Sequence, residues 1–212
     1  SINRLLNNKS IGLFILYHES KPVGLSIAES ANKISYILFN DTINLKSSLF
    51  ALQPIFLNKE IEKIFMDSKF FIKTLMEHKI QIQGPVFDIL IADYLINPDT
   101  NRTLLGIIEK YDIPTINFEL LNLNTEEDIS NYLIEFASIL IIIKKLLSRM
   151  IENNGLVELF YNVEIPLVHV LLCMENNGIS INENALLNYS DSLTQELSRL
   201  EKNIFSAAET EF

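Results

Sequence analysis

The sequence predicts an α/β fold, a mixed sheet with flanking helices, followed by an all-helical C-terminal extension. Three features carry that expectation. Three apolar runs joined by tight turns open the chain, as in an antiparallel meander. Strand-like and helix-like segments then alternate, the order that builds a mixed sheet covered by helices. Beyond Gly155 only helical texture remains. With 212 residues, 48% hydrophobic and 21% charged, the chain can bury a sizeable core and is not compositionally disordered.

The elements follow in order. Residues 11–17 are an almost unbroken apolar run, the mark of a strand buried on both faces. A turn around His18-Glu19-Ser20-Lys21-Pro22 leads to strands over 23–28 and 33–39. Residues 45–56 form a helix with Pro54 near its end, and 61–66 a short strand. Phe70, Phe71, Leu75 and Met76 give a helix over 69–79 one apolar face. Gly84-Pro85 breaks the pattern, 86–87 is a short strand, and Asp88 caps a helix over 89–96 that Asn97-Pro98 stops. Thr100 or Asn101 starts a further helix to Lys110, and 111–124 is a loop. Thr125 caps a long helix to about Glu152, with Glu126, Glu127 and Asp128 favourably placed in its first turn. Residues 158–175 are helical, with Pro166 as an interior irregularity or a fresh start. Asn176-Asn177-Gly178 stops them, and Ser180 to Glu183 offers a capping box for a last helix to about Ala208. In it, Leu186, Leu193, Leu197, Leu200 and Ile204 form one seam.

Composition narrows the function. The net charge is −10, and phosphate binding needs clustered positive charge, so the chain is a poor stand-alone DNA or membrane binder. Residues 152–212 hold Arg199 and Lys202 against ten acids, whereas residues 1–151 carry 15 basic and 17 acidic groups, a step that suggests a boundary near 152. The single Cys173 excludes an internal disulfide and a cysteine-rich zinc site, suits a reducing compartment, and reads as a buried hydrophobe. No GxxxxGK[ST] loop is present. There is no secretory h-region near Ser1, and the apolar stretch 136–143 is far short of a bilayer span, so a cytoplasmic location is expected. The chain reads as a piece cut from something longer.

Several motifs then agree in order and spacing. Asn162-Val-Glu164-Ile-Pro166-Leu, continuing to Met174-Glu-Asn-Asn-Gly178-Ile-Ser-Ile, resembles the opening of the polymerase domain of bacterial DNA polymerase I (family A). Residues 193–212 are similar to the helix that follows there. Upstream, Val23-Gly24-Leu-Ser-Ile-Ala and the run from Ile80 through Gly84-Pro-Val-Phe87-Asp88 to Asn97-Pro98 resemble parts of that family's 3′–5′ exonuclease-type domain. The resemblance implies a ribonuclease H-like domain over 1–152 and the start of a polymerase domain over 153–212. It implies a role within DNA replication and repair, DNA binding through a parent nucleotidyltransferase, and the rest of the polymerase chain as partner. A second copy, docked through the last helices, is the other partner considered, and no membrane is expected.

An active domain of that family carries four carboxylates: Asp-x-Glu on the first strand, one acid in the helix before the Gly84-like turn, and the Asp of a Tyr-x-x-x-Asp. Together they hold two metal ions for phosphodiester hydrolysis. Carried over, the slots fall on Ile15, Tyr17, Phe71 and Phe136, with Tyr132 retained as the motif tyrosine. All four acids are replaced by side chains that cannot ligate a divalent ion. The resemblance therefore implies a vestigial exonuclease with no catalytic residue, no metal and no cofactor in this fragment, acting as a structural platform; Mg²⁺ belongs to the parent polymerase. The alternative is a working proofreading exonuclease that uses displaced carboxylates, with Glu19, Asp67 or Glu135 as candidates. The bland roles are a turn acid for Glu19, a helix cap for Asp67 and a surface carboxylate for Glu135. A second alternative is an interaction module that shares only the fold. Asp93 reads as a surface acid. His18, His78 and His169 lack companions. Lys69, Lys73, Lys79, Lys144, Lys145 and Arg149 read as scattered surface charge.

Overall fold

A computed structural model describes residues 2–98, 103–114, 123 and 125–210. By internal contacts the chain forms two units, Ser1–Cys173 and Met174–Phe212. The first begins with a short helix absent from the sequence expectation, α1 (Ile2–Leu5), then β1 (Ser10–His18), β2 (Lys21–Ser30) and β3 (Lys33–Leu38). Next come α2 (Leu45–Phe56), β4 (Glu62–Phe65), α3 (Ser68–Glu77), β5 (Val86–Asp88) and α4 (Ile89–Ile96). The series continues with α5 (Leu104–Lys110), α6 (Glu126–Asn153), α7 (Val157–Leu159), a π turn (Phe160–Glu164) and α8 (Ile165–Asn177).

The five strands lie in the order β3-β2-β1-β4-β5. The β1–β2 and β2–β3 pairs are antiparallel, and β1–β4 and β4–β5 are parallel. The hairpin closes at Glu19 and Ser20, both with positive φ, the conformation whose twist matches paired strands. The pairing shifts after Leu16: Leu16 faces Gly24 but Tyr17 faces Pro22, so Val23 has no counterpart on β1.

Alternation along β1 divides the core. Leu13 and Ile15 pack with α2 and α3 through Leu49, Leu52, Phe56, Phe71 and Leu75. Gly12 and Phe14 face α6, which joins Phe136, Leu140, Ile143 and Leu147 to Ile89 and Ala92 of α4. Gly24 permits that layer, because a β-carbon there would stand 2.6 Å from Leu133 Cδ1 of α6. Gly84 has φ +80°, and its missing side chain makes room for the backbone of Asn58 and Lys59.

Several boundaries differ from expectation. Thr103 caps α5, which begins at Leu104; Thr100, Asn101 and most of the 111–124 loop lie outside the described residues. The expected helix over 158–175 is interrupted by the π turn next to Pro166. The helical run Val157–Asn177 is long and apolar enough to span a bilayer by length and composition alone, which the sequence reading overlooked. Here Phe160, Val168 and Leu172 of that run are buried, and the first compact unit extends to Cys173. In the second unit Asn182, not Ser180, caps α9 (Glu183–Ala208) by accepting from the Ala185 amide at 3.0 Å. No residue of α9 is buried, and the Leu193–Leu197–Leu200–Ile204 seam is exposed.

Candidate functional site

The residues named from the sequence converge around the C-terminal half of β1, but on two faces of the sheet. Ile15 is buried in the layer that contains Phe71, the second residue of α3's buried face. Phe71 in turn packs on Phe65 of β4 with ring centroids 4.5 Å apart. Tyr17 lies at the rim of the same layer, edge-on to Phe70 at 5.4 Å. Its phenol is raised above the usual range by burial and by Glu77, with a hydrogen bond to Thr74 opposing.

Phe136 is on the other face. It stacks on Phe14 with centroids 3.6 Å apart and planes 12° from parallel, and Tyr132 flanks both rings at 6.0–6.3 Å. Burial raises the Tyr132 phenol. Thus Ile15 and Phe71 share one layer and Tyr132 and Phe136 the other, with Phe14 lining a hollow beside Ile15 and Phe71 while it stacks on Phe136. The strand residue that meets Phe136 is Phe14, a position outside the four carried-over slots.

The hollow where β1, β4 and the start of α3 meet has a volume of about 260 Å³. Phe14, Ile15, Phe65, Phe70 and Phe71 line it, with Asp67 as its one carboxylate. Asp67 is committed to α3, where its Oδ1 accepts from the Phe70 amide at 2.9 Å. Glu19 is exposed in the hairpin turn, and Glu135 lies on α6 one residue from the stacked ring. Among the described residues no three His, Cys, Asp or Glu side chains gather closely enough to share an ion. A two-metal centre does not fit the aromatic and aliphatic groups found here.

The remaining titratable groups serve structure. Asp88 caps α4 by accepting from Ile91 N at 2.9 Å and also accepts from Ser68 N, at the start of α3, at 2.6 Å. It is buried, and burial pushes its carboxyl up to about 6. Asp93 is not a surface acid: it is fully buried, paired with Lys110 Nζ at 2.7 Å, and accepts from Tyr111 Oη at 2.8 Å. Lys63 is also fully buried, and its ammonium donates to the carbonyls of Asn58 and Gln83. Burial lowers it to about 8. Lys144, read from sequence as a scattered cation, pairs with Glu62 at 2.8 Å. His18 ends β1 instead of lying in a turn, and His78 caps the end of α3. His169 and Cys173 are one turn apart on α8, with Nε2 and Sγ separated by 3.9 Å. Cys173 is exposed, not the buried hydrophobe expected, because the buried face of α8 is set by Val168 and Leu172.

Residues 15–120 match the family model described as DNA polymerase I, ribonuclease H-like domain. The DNA polymerase I of Synechocystis sp. is 23% identical over 205 residues, covering 90% of this chain and 21% of the relative. That of Bacillus subtilis is 27% identical over 201 residues, covering 91% and 22%. The chain therefore spans about a fifth of the length of these curated relatives. Among solved structures, the POL domain of Pol1 from M. smegmatis, in complex with DNA primer-template and dNTP, covers all of this chain and 36% of its own at a TM-score of 0.77 and 14% identity. Escherichia coli RNase D, an exoribonuclease involved in structured RNA processing, covers 81% of this chain and 47% of its own at 0.63 and 14% identity. These likenesses establish the fold, a ribonuclease H-like mixed sheet with flanking helices and a helical C-terminal region. The sequence match and the shared fold place this chain in the DNA polymerase I family, by way of its ribonuclease H-like domain.

Proposed function

We propose that the first unit is a vestigial 3′–5′ exonuclease that hydrolyses no phosphodiester and serves as a structural platform for the polymerase chain it belongs to. The Phe14–Phe136 stack carries this reading. In the metal-dependent arrangement that the resemblance implies, the first-strand acids and the acid one turn after Tyr132 share one site. The vacated strand pair is Ile15 and Tyr17, as the resemblance places it, and Phe14 and Tyr132 fill the side toward Phe136 with aromatic rings. The four places, Ile15, Tyr17, Phe71 and Phe136, hold no carboxylate. Clustered acids repel and must be desolvated, whereas each buried apolar replacement contributes about 1.5–3 kcal/mol.

On this reading the fragment itself is not an enzyme and needs no cofactor. DNA, Mg²⁺ and nucleotidyl transfer, in replication and repair in the cytoplasm, belong to the parent polymerase. The partner is the rest of that chain, and the exposed seam of α9 suits such a role. The resemblance across 158–212 speaks against a module that shares only the fold.

The test is a Mn²⁺ or Mg²⁺ titration by calorimetry, with a labelled single-stranded DNA in a parallel nuclease assay. Silence in both is expected. Micromolar metal binding together with 3′-end shortening would instead assign the work to Glu19, Asp67 or Glu135.

A further inference from the structure

The π turn at Phe160–Glu164 has an identifiable cause and an identifiable consequence. Pro166 has no amide hydrogen, and in a regular helix its ring crowds the carbonyl four residues back, that of Asn162. Here the Ile165 amide bonds to the Phe160 carbonyl, five residues back, and the turn is widened at this point. The extra residue changes which side chains share a face. In an unbroken α-helix Val168 would lie about 80° around the axis from Phe160, and Leu172 about 120° away. With one residue absorbed by the wide turn, both fall within roughly 20° of Phe160.

Those three side chains are the buried ones of the run. Phe160 is fully buried with its ring centroid 4.9 Å from that of Phe87 of β5. Val168 and Leu172 pack together with Ile72 of α3, with Met76, Ile82 and Ile91 around them. The turn also holds a polar tie. Tyr161 Oη donates to Glu62 Oε1 at 2.9 Å, and Glu62 Oε2 pairs with Lys144 of α6 at 2.8 Å. Between these anchors, Val163, Leu167 and Val170 remain exposed.

We infer that the π turn is a register joint: it rotates α8 into phase with Phe160, so that the first helix of the polymerase part is gripped by the exonuclease-like unit as a rigid arm. This rests on the platform reading only for what the arm serves; the joint is a property of residues 160–172. The platform acts through a helix fixed along its side, and chain slippage at one turn is what would release it.

Two variants of the full chain separate the joint from a mere proline irregularity. Deleting Val163, an exposed residue, together with Pro166→Ala removes the extra position and the ring that a regular helix cannot hold, and leaves Phe160, Val168 and Leu172 in phase. It is expected to melt within about 2 °C of the parent chain and to keep slow amide exchange over 165–173. Inserting an alanine after Val163 turns Val168 and Leu172 away by about 100°. It is expected to lower Tm by roughly 5 °C or more and to speed exchange over 165–173 at least tenfold. Equal losses in the two variants, or no loss in either, would overturn the joint. Neither readout involves metal or nucleic acid, so a failed platform reading would appear in the nuclease assay and not here.

Discussion

Asp88 holds two helix starts with one carboxylate: Ile91 N of its own helix and Ser68 N of α3. Both oxygens are in use, yet burial dominates and pushes the group from its ordinary 3.8 to about 6. Since the folded value is the higher one, the unfolded chain releases its proton first as pH rises. The contribution to stability is therefore fully present below about pH 4 and is lost as pH rises through about 6, by about 3 kcal/mol in all. A ¹³C titration of the Asp88 carboxyl should show a midpoint near 6, and Asp88→Asn should flatten the decline in urea stability between pH 4 and 7. A carboxyl that titrates near 3.8 would remove the basis of this expectation. The capping roles of Asp67 and Asp88 were legible because a cap is a local event, an acid followed by an apolar helix. Asp93 and Lys63 were not, because their burial depends on partners far along the chain: Lys110 and Tyr111 for one, Asn58 and Gln83 for the other. A lysine flanked by Ile61, Ile64 and Phe65 was the available hint for Lys63.

At the scale of elements, α6 is the helix that closes the second face of the sheet, and Phe136, stacked on Phe14, is one of its contacts with β1. Phe136→Ala should leave a void beside Phe14 and cost about 3–5 kcal/mol. Phe50→Ala, on the exposed side of α2, should stay within about 0.5 kcal/mol. Urea midpoints of the two variants measure the contrast. Equal midpoints would mean that α6 and β1 do not depend on this stack. Strands and long helices were legible because their periodicities of 2 and 3.6 are written in side-chain order. The face that each strand residue presents was not. One unmatched residue, Val23, shifts the pairing of β1 with β2 between Leu16 and Tyr17, and a bulge leaves no reliable composition signal. Likewise, Pro166 announced an irregularity over 158–175, but whether it would be a break or a wide turn was decided by where Phe87 and Ile72 needed partners.

For the whole molecule, charge and packing give different boundaries. The acidic step in the sequence begins at 152, whereas the first compact unit extends to Cys173. Packing should decide folding, because it is the covered apolar surface that opposes chain entropy. A chain ending at Cys173 retains Phe160, Val168 and Leu172 in place and gives up only residues of which none in α9 is buried. It should unfold in one cooperative step with the urea midpoint of the full chain. A chain ending at Glu152 loses those three anchors and uncovers Phe87 and Ile72, at a gross loss of about 5–9 kcal/mol from the three side chains alone. Net stabilities of domains this size are only about 5–15 kcal/mol. The shorter chain should therefore show a broadened, early transition and bind a hydrophobic dye such as ANS at neutral pH. If it instead unfolds at the full-chain midpoint with no dye binding, the run from Val157 to Cys173 is not part of the first unit's core, and the arm it forms is held by something other than Phe87 and Ile72.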